Sequence, residues 1–217
     1  LGQASEAQEI GQALGEATRA ELTIAPAVGS LHVGALAESN NLVAGVIRPI
    51  SGERVRRDFR LEGETAILSL RSEGMFGPFV GSWGGKRGWE LKLSPDVPLD
   101  LEISLGAGQS RIDLQDLMVS DVKVNTGVGE TVVTLPEEGY VRAEIEGAIG
   151  NTVIHVPAGM EARIRFDTAL VARQVPDDYQ QQGDVYLSPG YAGADNRVDV
   201  EVGLAIGNVS IRPAGSQ

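Results

Sequence analysis

Three stretches of this chain, LDLEISLGAGQSRIDL, DVKVNTGVGETVVTL and VRAEIEGAIGNTVIHV, superimpose without a gap on Gly108, Gly129 and Gly150, a spacing of 21 residues both times. Apolar residues recur at fixed offsets from each glycine. Before it come Leu101 and Ile103, Val122 and Val124, Ala143 and Ile145; immediately before it stand Ala107, Val128 and Ile149; after it come Ile112 and Leu114, Val133 and Leu135, Ile154 and Val156. A fourth copy, VDVEVGLAIGNVSI, centres on Gly207 with Val200, Val202, Ile206 and Ile211. A degenerate fifth, AELTIAPAVGSLHV, centres on Gly29 with Leu22, Ile24, Val28 and Val33. Self-similarity at such a period is the mark of a stacked repeat, in which no unit can bury its apolar face alone.

Within each copy the apolar residues alternate with polar ones, the period of a strand. Asp100, Glu102 and Ser104, Asp121, Lys123 and Asn125, and Arg142, Glu144 and Glu146 fill the intervening positions. A simple hairpin at each glycine would give a meander, which does not require matched offsets every 21 residues. Parallel stacking does, because equivalent residues then lie above one another and an inward position must be apolar in every layer. Glycine suits the corner, since it takes a positive φ and lets backbones pass without a Cβ clash. The expected fold is therefore all-β: a right-handed single-stranded β-helix, or β-solenoid, with about 21 residues per coil. At ~3.3 Å per residue such a coil has a perimeter of roughly 70 Å. All five apolar offsets, the one just before the glycine included, are expected to face inward.

The remainder is less regular. Residues 1–20 carry Ile10, Leu14 and Ala17 at helical spacing, which predicts a short helix or linker. The solenoid domain is expected over 21–213, followed by a tail at 214–217. From Val33 to Trp89 the strands NLVAGVI, RDFRLEG and TAILSLRS and a glycine-rich loop suggest an irregular cap or widened rungs, with Phe76, Phe79, Trp83 and Trp89 covering the open end of the core. Residues 174–196 read as a loop insertion, the kind of excursion where binding often occurs.

Composition narrows the function. A formal charge of −12 and a pI near 4.6 oppose non-specific attraction to nucleic acid or anionic lipid. With no cysteine, disulfides, thiolate metal sites and cysteine nucleophiles are excluded. No apolar run approaches the ~20 residues of a bilayer span, and LGQASEAQEI lacks the basic flank and apolar stretch of a leader.

The segment GWELKLSPDVPLDLEISLGAGQSRIDLQDLMVSDVKVNTGVGETVVTLP resembles the toast-rack domain of bacterial cell-wall-active antibiotic response proteins and putative adhesins. The likeness lies in the apolar strand ending in Pro, the V-P-L-D-L step at Val97 to Leu101 and the repeated G-[AV]-G corners. AELTIAPAVGSLHVGAL is similar to the same family's opening, and together these cover most of residues 20–213. The resemblance implies an extracytoplasmic, cell-envelope-associated β-solenoid without established catalytic residues, and a segment preceding Leu1 that carries a leader or membrane helices.

Motifs for chemistry are sparse. His32 and His155 fall at different offsets from their glycines, so they are not expected to share a metal site, and zinc needs more ligands than these. GSWGGKR fails as a phosphate loop, because Val80 and Arg87 stand where Gly and Ser or Thr are needed. No paired carboxylates recur on the outward ladder, as glycosidic cleavage would require. Asp177, Asp178, Asp184, Asp195 and Asp199 surround the insertion without the ordered spacing of a calcium loop; solvated loop charges are the simpler account and calcium an open alternative. Arg54, Arg56, Arg57 and Arg60 form a possible interaction surface, unless cross-strand pairing with Glu53, Glu62 and Glu64 absorbs them. The expected function is a non-catalytic scaffold, without cofactor, for a protein or cell-envelope component, with self-association possible. A carbohydrate-binding module and a polysaccharide-active enzyme are the alternatives.

Overall fold

The computed structural model describes residues 6–50, 52–74 and 87–214, and almost all of them are strand or tight connection. In chain order the strands are β1 (Gln8–Ala13), β2 (Arg19–Ala25), β3 (Val28–Ala35), β4 (Asn41–Arg48), β5 (Arg54–Glu62), β6 (Thr65–Glu73) and β7 (Gly88–Leu93). The long strands β8 (Leu99–Asp113), β9 (Val119–Thr134), β10 (Tyr140–Val156) and β11 (Glu161–Gln174) follow. The short β12 (Gln180–Gln182) and β13 (Val185–Leu187), one turn of 3₁₀ helix at Tyr191–Gly193 and β14 (Arg197–Pro213) complete the chain.

The predicted register is observed residue for residue. Gly29, Gly108, Gly129, Gly150 and Gly207 form one column of parallel pairs. Ile112, Val133 and Ile154 occupy adjoining layers. Each long strand passes through its glycine and bends there, so both halves turn a face toward a shared core. The first half contributes Leu101, Ile103, Val122, Val124, Ala143 and Ile145, and the second Ile112, Leu114, Val133, Leu135 and Ile154, all buried. A Cβ on Gly108, Gly129, Gly150 or Gly207 would lie 1.7–1.8 Å from the carbonyl oxygen of the glycine in the adjoining layer, and each has a positive φ of 143–154°. The corner thus demands glycine twice, for conformation and for close approach.

The layers are not stacked in chain order. β14 lies between β10 and β11, parallel to both. At the opposite end β2 and β3 lie between β8 on one side and β6 and β7 on the other, again parallel. Each end is therefore closed by a rung from farther inside the sequence. The outer rung β11 is a sixth copy of the repeat: Ala162, Ile164 and Phe166 are buried in line with Val198, Val200 and Val202. Its corner position is Val171, opposite Gly207, which hides it from a search keyed on glycine.

Antiparallel strands then cover these outer rungs, with β4 on β7, β1 on β4 and β5 on β6 at one end, β13 on β11 and β12 on β13 at the other. Such short, bent or charged additions blunt an edge that would otherwise pair with another chain. Two expectations are corrected here. Gln8–Ala13 is strand and not helix, because it satisfies the free hydrogen-bonding edge of β4 while Ile10 packs on the core. The 174–196 excursion is not only loop: β13 pairs with β11 and lays Tyr186 edge-on against Phe166, ring centroids 5.5 Å apart. Of the four aromatic residues expected to close the core, Trp89 is fully buried; Phe76, Phe79 and Trp83 lie outside the described residues.

Candidate functional site

The outward side chains of the first half-rungs form ladders across the stack. One column runs Glu21, Asp100, Asp121, Arg142, Asp199, Arg163, and the next Thr23, Glu102, Lys123, Glu144, Glu201, Arg165. Neighbouring rungs pair their charges: Arg142 with Asp121 at 2.9 Å, Lys123 with Glu144 at 2.7 Å, Arg163 with Asp199 at 2.9 Å. Arg19 closes on Asp100 at 2.8 Å. Exposed pairs of this kind add little stability because water screens them, so their main effect is to hold the charged groups in fixed positions. Glu21, Glu102 and Glu201 make no ion pair among the described residues, and they leave this shallow face acidic.

Asp199 is the centre of the face. It accepts hydrogen bonds from the hydroxyls of Tyr140, at 2.7 Å, and Tyr191, and from Nε and Nη2 of Arg163 at 2.9 and 3.0 Å. Partial burial alone would raise its carboxyl; the bonds from Tyr191, Tyr140 and Arg163 outweigh it and hold the group below the usual carboxylate range. Burial, followed by the bond to Asp199, pushes the Tyr191 phenol up to about 12. Arg163 also lies over the Tyr191 ring, at 6.0 Å, and Arg197 over the Tyr140 ring, at 5.0 Å. The 3₁₀ turn of the insertion is thereby fastened to two rungs, β14 through Asp199 and β11 through Arg163.

The other candidates separate. Asp177, Asp178, Asp184 and Asp195 do not converge with Asp199, and among the described residues no three His, Asp or Glu side chains gather as metal ligands. His32 and His155 lie in different columns, and His155 Nδ1 is 3.4 Å from the Pro213 carbonyl. On β5, Arg56 pairs with Asp58 at 2.7 Å and Glu73 at 3.3 Å, and Arg60 with Glu62 at 2.7 Å. Arg57 donates to the Gly11 carbonyl at 2.8 Å and so fastens β5 to β1, whereas Arg54 makes no ion pair among the described residues. Of the three expected partners only Glu62 pairs with an arginine. Glu64 accepts from Thr18, and Glu53 turns inward, 6% exposed, to accept from Trp89 Nε1 at 3.2 Å, Ile50 N at 2.8 Å and Ser72 Oγ.

Two columns escaped the sequence reading. The position two after the corner glycine faces inward, yet on the three middle rungs it carries Ser110, Thr131 and Thr152, all buried, where the rungs of Gly29 and Gly207 have Leu31 and Val209. Ser110 Oγ donates to Thr131 Oγ1 at 3.1 Å, and Thr126 Oγ1 lies 2.8 Å from Thr131 Oγ1. Stacked hydroxyls satisfy one another across rungs, which makes the interior position tolerable. The signal available was their recurrence at one offset.

The position just before the glycine, expected to be inward, is the opposite case. Val128, Ile149, Ile206 and Leu170 are 49%, 50%, 48% and 75% exposed and stand side by side on consecutive rungs. The inward series Leu101, Ile103, Leu105 resumes at Ser110 and Ile112, so alternation changes phase at the corner and two successive residues point outward. The positive φ of the corner glycine accompanies that change of phase, and the ladder stays paired one-to-one through it.

The model of the family described as the N-terminal domain of toast_rack matches residues 2–155, more than two thirds of the chain. No curated protein matches. The crystal structure of a putative cell adhesion protein from Clostridium sporogenes is similar with a TM-score of 0.84 at 19% identity, covering 96% of this chain and 99% of that one. At this identity the likeness shows a shared fold. A putative adhesin from Bacteroides fragilis aligns over 95% of this chain and 97% of its own at 9% identity, but its TM-score of 0.28 carries no argument.

Proposed function

The chain belongs to the toast-rack N-terminal domain family, and on that premise we propose that it is a non-catalytic, adhesion-like scaffold. It displays a rigid β face to a protein or cell-envelope component on the outer side of the membrane. The observation that carries this reading is the charged face around Asp199. Backbone ladders set its rungs in register, and its carboxylates, guanidinium groups and phenols are cross-linked from rung to rung. Groups preorganised in this way lose little freedom on binding, which favours recognition. The right-handed winding with about 21 residues per coil belongs to the same proposal, supported by the glycine column. The Clostridium neighbour's description as a putative cell adhesion protein supports the adhesive role, and extracytoplasmic display follows from it. Among the described residues no helix is long and apolar enough to cross a membrane.

A carbohydrate-binding role would need exposed aromatic platforms, and the buried Trp89 cannot supply one. Binding of the purified chain to isolated cell envelopes, a glycan array and reducing-end release from envelope polysaccharides separate the readings. The scaffold reading expects salt-sensitive envelope binding weakened at least tenfold by D199N together with R163Q. Glycan-array binding that those substitutions leave intact, or polysaccharide cleavage, overturns it.

A further inference from the structure

The exposed column beside the corner glycines runs Val28, Ala107, Val128, Ile149, Ile206, Leu170 across six consecutive rungs. Next to it lies a shallow groove whose floor is the column Gly106, Gly127, Ala148, Ala205, Ala169. A ridge of mostly branched aliphatic side chains thus stands beside a trough of glycine and alanine that follows it along five of its six rungs. Most outward positions on this chain are polar, and an apolar row in water is costly unless something covers it.

We propose that this ridge and trough are the contact surface of a homodimer, with a second copy of the chain as the occupant. Consider a two-fold axis parallel to the stacking direction and lying between the two columns. It sets the ridge of each copy into the trough of its partner, and one patch meets itself as an isologous contact requires. Each rung then faces its own counterpart along the full length of the stack.

The flanking columns agree with that arrangement. On one side are Ser104, Asn125, Glu146, Gly203 and Asp167; on the other are Gln109, Glu130, Asn151, Asn208 and Ala172. Under the axis, Glu146 faces Asn151 of its own rung and Glu130 faces Asn125. These two carboxylates meet amide donors, Asp167 meets Ala172, and no carboxylate meets another, which matters for a chain of net charge −12. At ~4.8 Å per rung and ~3.3 Å per residue the patch measures roughly 24 by 16 Å. That is about half the ~800 Å² per partner of a standard interface, the size of a weak, reversible contact. The association is independent of what the charged face binds.

Sedimentation equilibrium of the full chain from about 1 to 500 μM tests it. The expected result is a monomer–dimer equilibrium that shifts at least tenfold toward monomer in Ile149→Ser with Ile206→Ser, and equally in Ala148→Arg, which fills the trough without touching the ridge. All three positions are exposed, so unchanged circular dichroism separates loss of contact from loss of fold. Because the chain has no cysteine, single-cysteine variants read the orientation. A107C and I206C are each expected to form a disulfide with their own kind under mild oxidation. A rung-reversed contact would join A107C only to I206C and would overturn the stated geometry. A wild-type chain that stays monomeric to 500 μM, or a dimer indifferent to both the ridge and the trough variants, overturns the proposal, also where the ridge variants lower binding to isolated envelopes.

Discussion

Val171 stands opposite Gly207 in a parallel ladder, so the strand that comes earlier in the chain is the outer one and the last strand is enclosed. Strand β14 has a parallel partner on each side, β10 along its whole length and β11 as far as Ser210, although it lies at the end of the described chain. Terminal segments usually fray, and local stability follows hydrogen bonding and burial and not position in the sequence. Hydrogen exchange read by mass spectrometry should therefore show residues 198–202 exchanging at least tenfold more slowly than residues 168–174 of β11. Equal or faster exchange in β14 would contradict the rung order.

Gly129→Ala combines two penalties, since the new methyl would lie 1.8 Å from the Gly108 carbonyl oxygen and φ is 147°. Backbone strain costs roughly 1–3 kcal/mol and overpacking a similar amount, so a loss of about 3 kcal/mol or more is expected in urea unfolding. Gly139→Ala, with a φ of 92° but open space around it, should cost only about 1 kcal/mol. Comparable losses for the two would mean that close approach is not what selects the corner glycines.

Thr131 serves two buried hydroxyls, Ser110 at 3.1 Å and Thr126 at 2.8 Å. Thr131→Val keeps the shape and removes the partner, leaving polar groups stranded in the core. Chemical denaturation should report a loss of about 1–3 kcal/mol. The matching change at the outward Thr134 is expected to fall within about 0.5 kcal/mol of wild type.

Glu53 is a buried carboxylate that receives Trp89 Nε1, Ile50 N and Ser72 Oγ and so joins β5, β6 and β7. Glu53→Leu would strand those donors, with an expected cost of about 3 kcal/mol. Glu53→Gln retains an acceptor and should recover more than half of it. Identical thermal midpoints for the two would show that burial alone, without the hydrogen bonds, holds this end together.

Asp199 and Tyr191 make stability depend on pH at both extremes. The carboxyl of Asp199 is depressed in the folded state, so its contribution is complete above the unfolded value of ~3.9 and fades as pH falls through the folded value. The phenol of Tyr191 is raised to about 12, so its contribution is complete below ~10 and lost between there and about 12. Half-buried Tyr179, also pushed up to about 12 by its burial, adds to the same alkaline loss. Guanidinium unfolding followed from pH 2 to 12 should show D199N flattening the acid limb and Y191F flattening part of the alkaline limb. Limbs that run parallel to wild type in both variants would remove Asp199 as the centre of the face.

The strands, the glycine corners and the pairing of residues 21 apart were legible in the sequence, because adjoining rungs impose the same inward chemistry on the same offset. So were the outward charge columns, which simple alternation assigns correctly up to the bend. The direction of Val128, Ile149 and Ile206 was not legible: a positive-φ glycine shifts the alternation, and an apolar residue in a repeat looks the same whether it fills a core or caps a ridge. Nor was the order of the rungs, since a repeat records that copies are equivalent and not which copy is neighbour to which. Only the folded chain decides that β14 slips between β10 and β11 and that β1, β5 and β13 cover the outer rungs, because free backbone donors and acceptors at an edge take whichever strand can reach them.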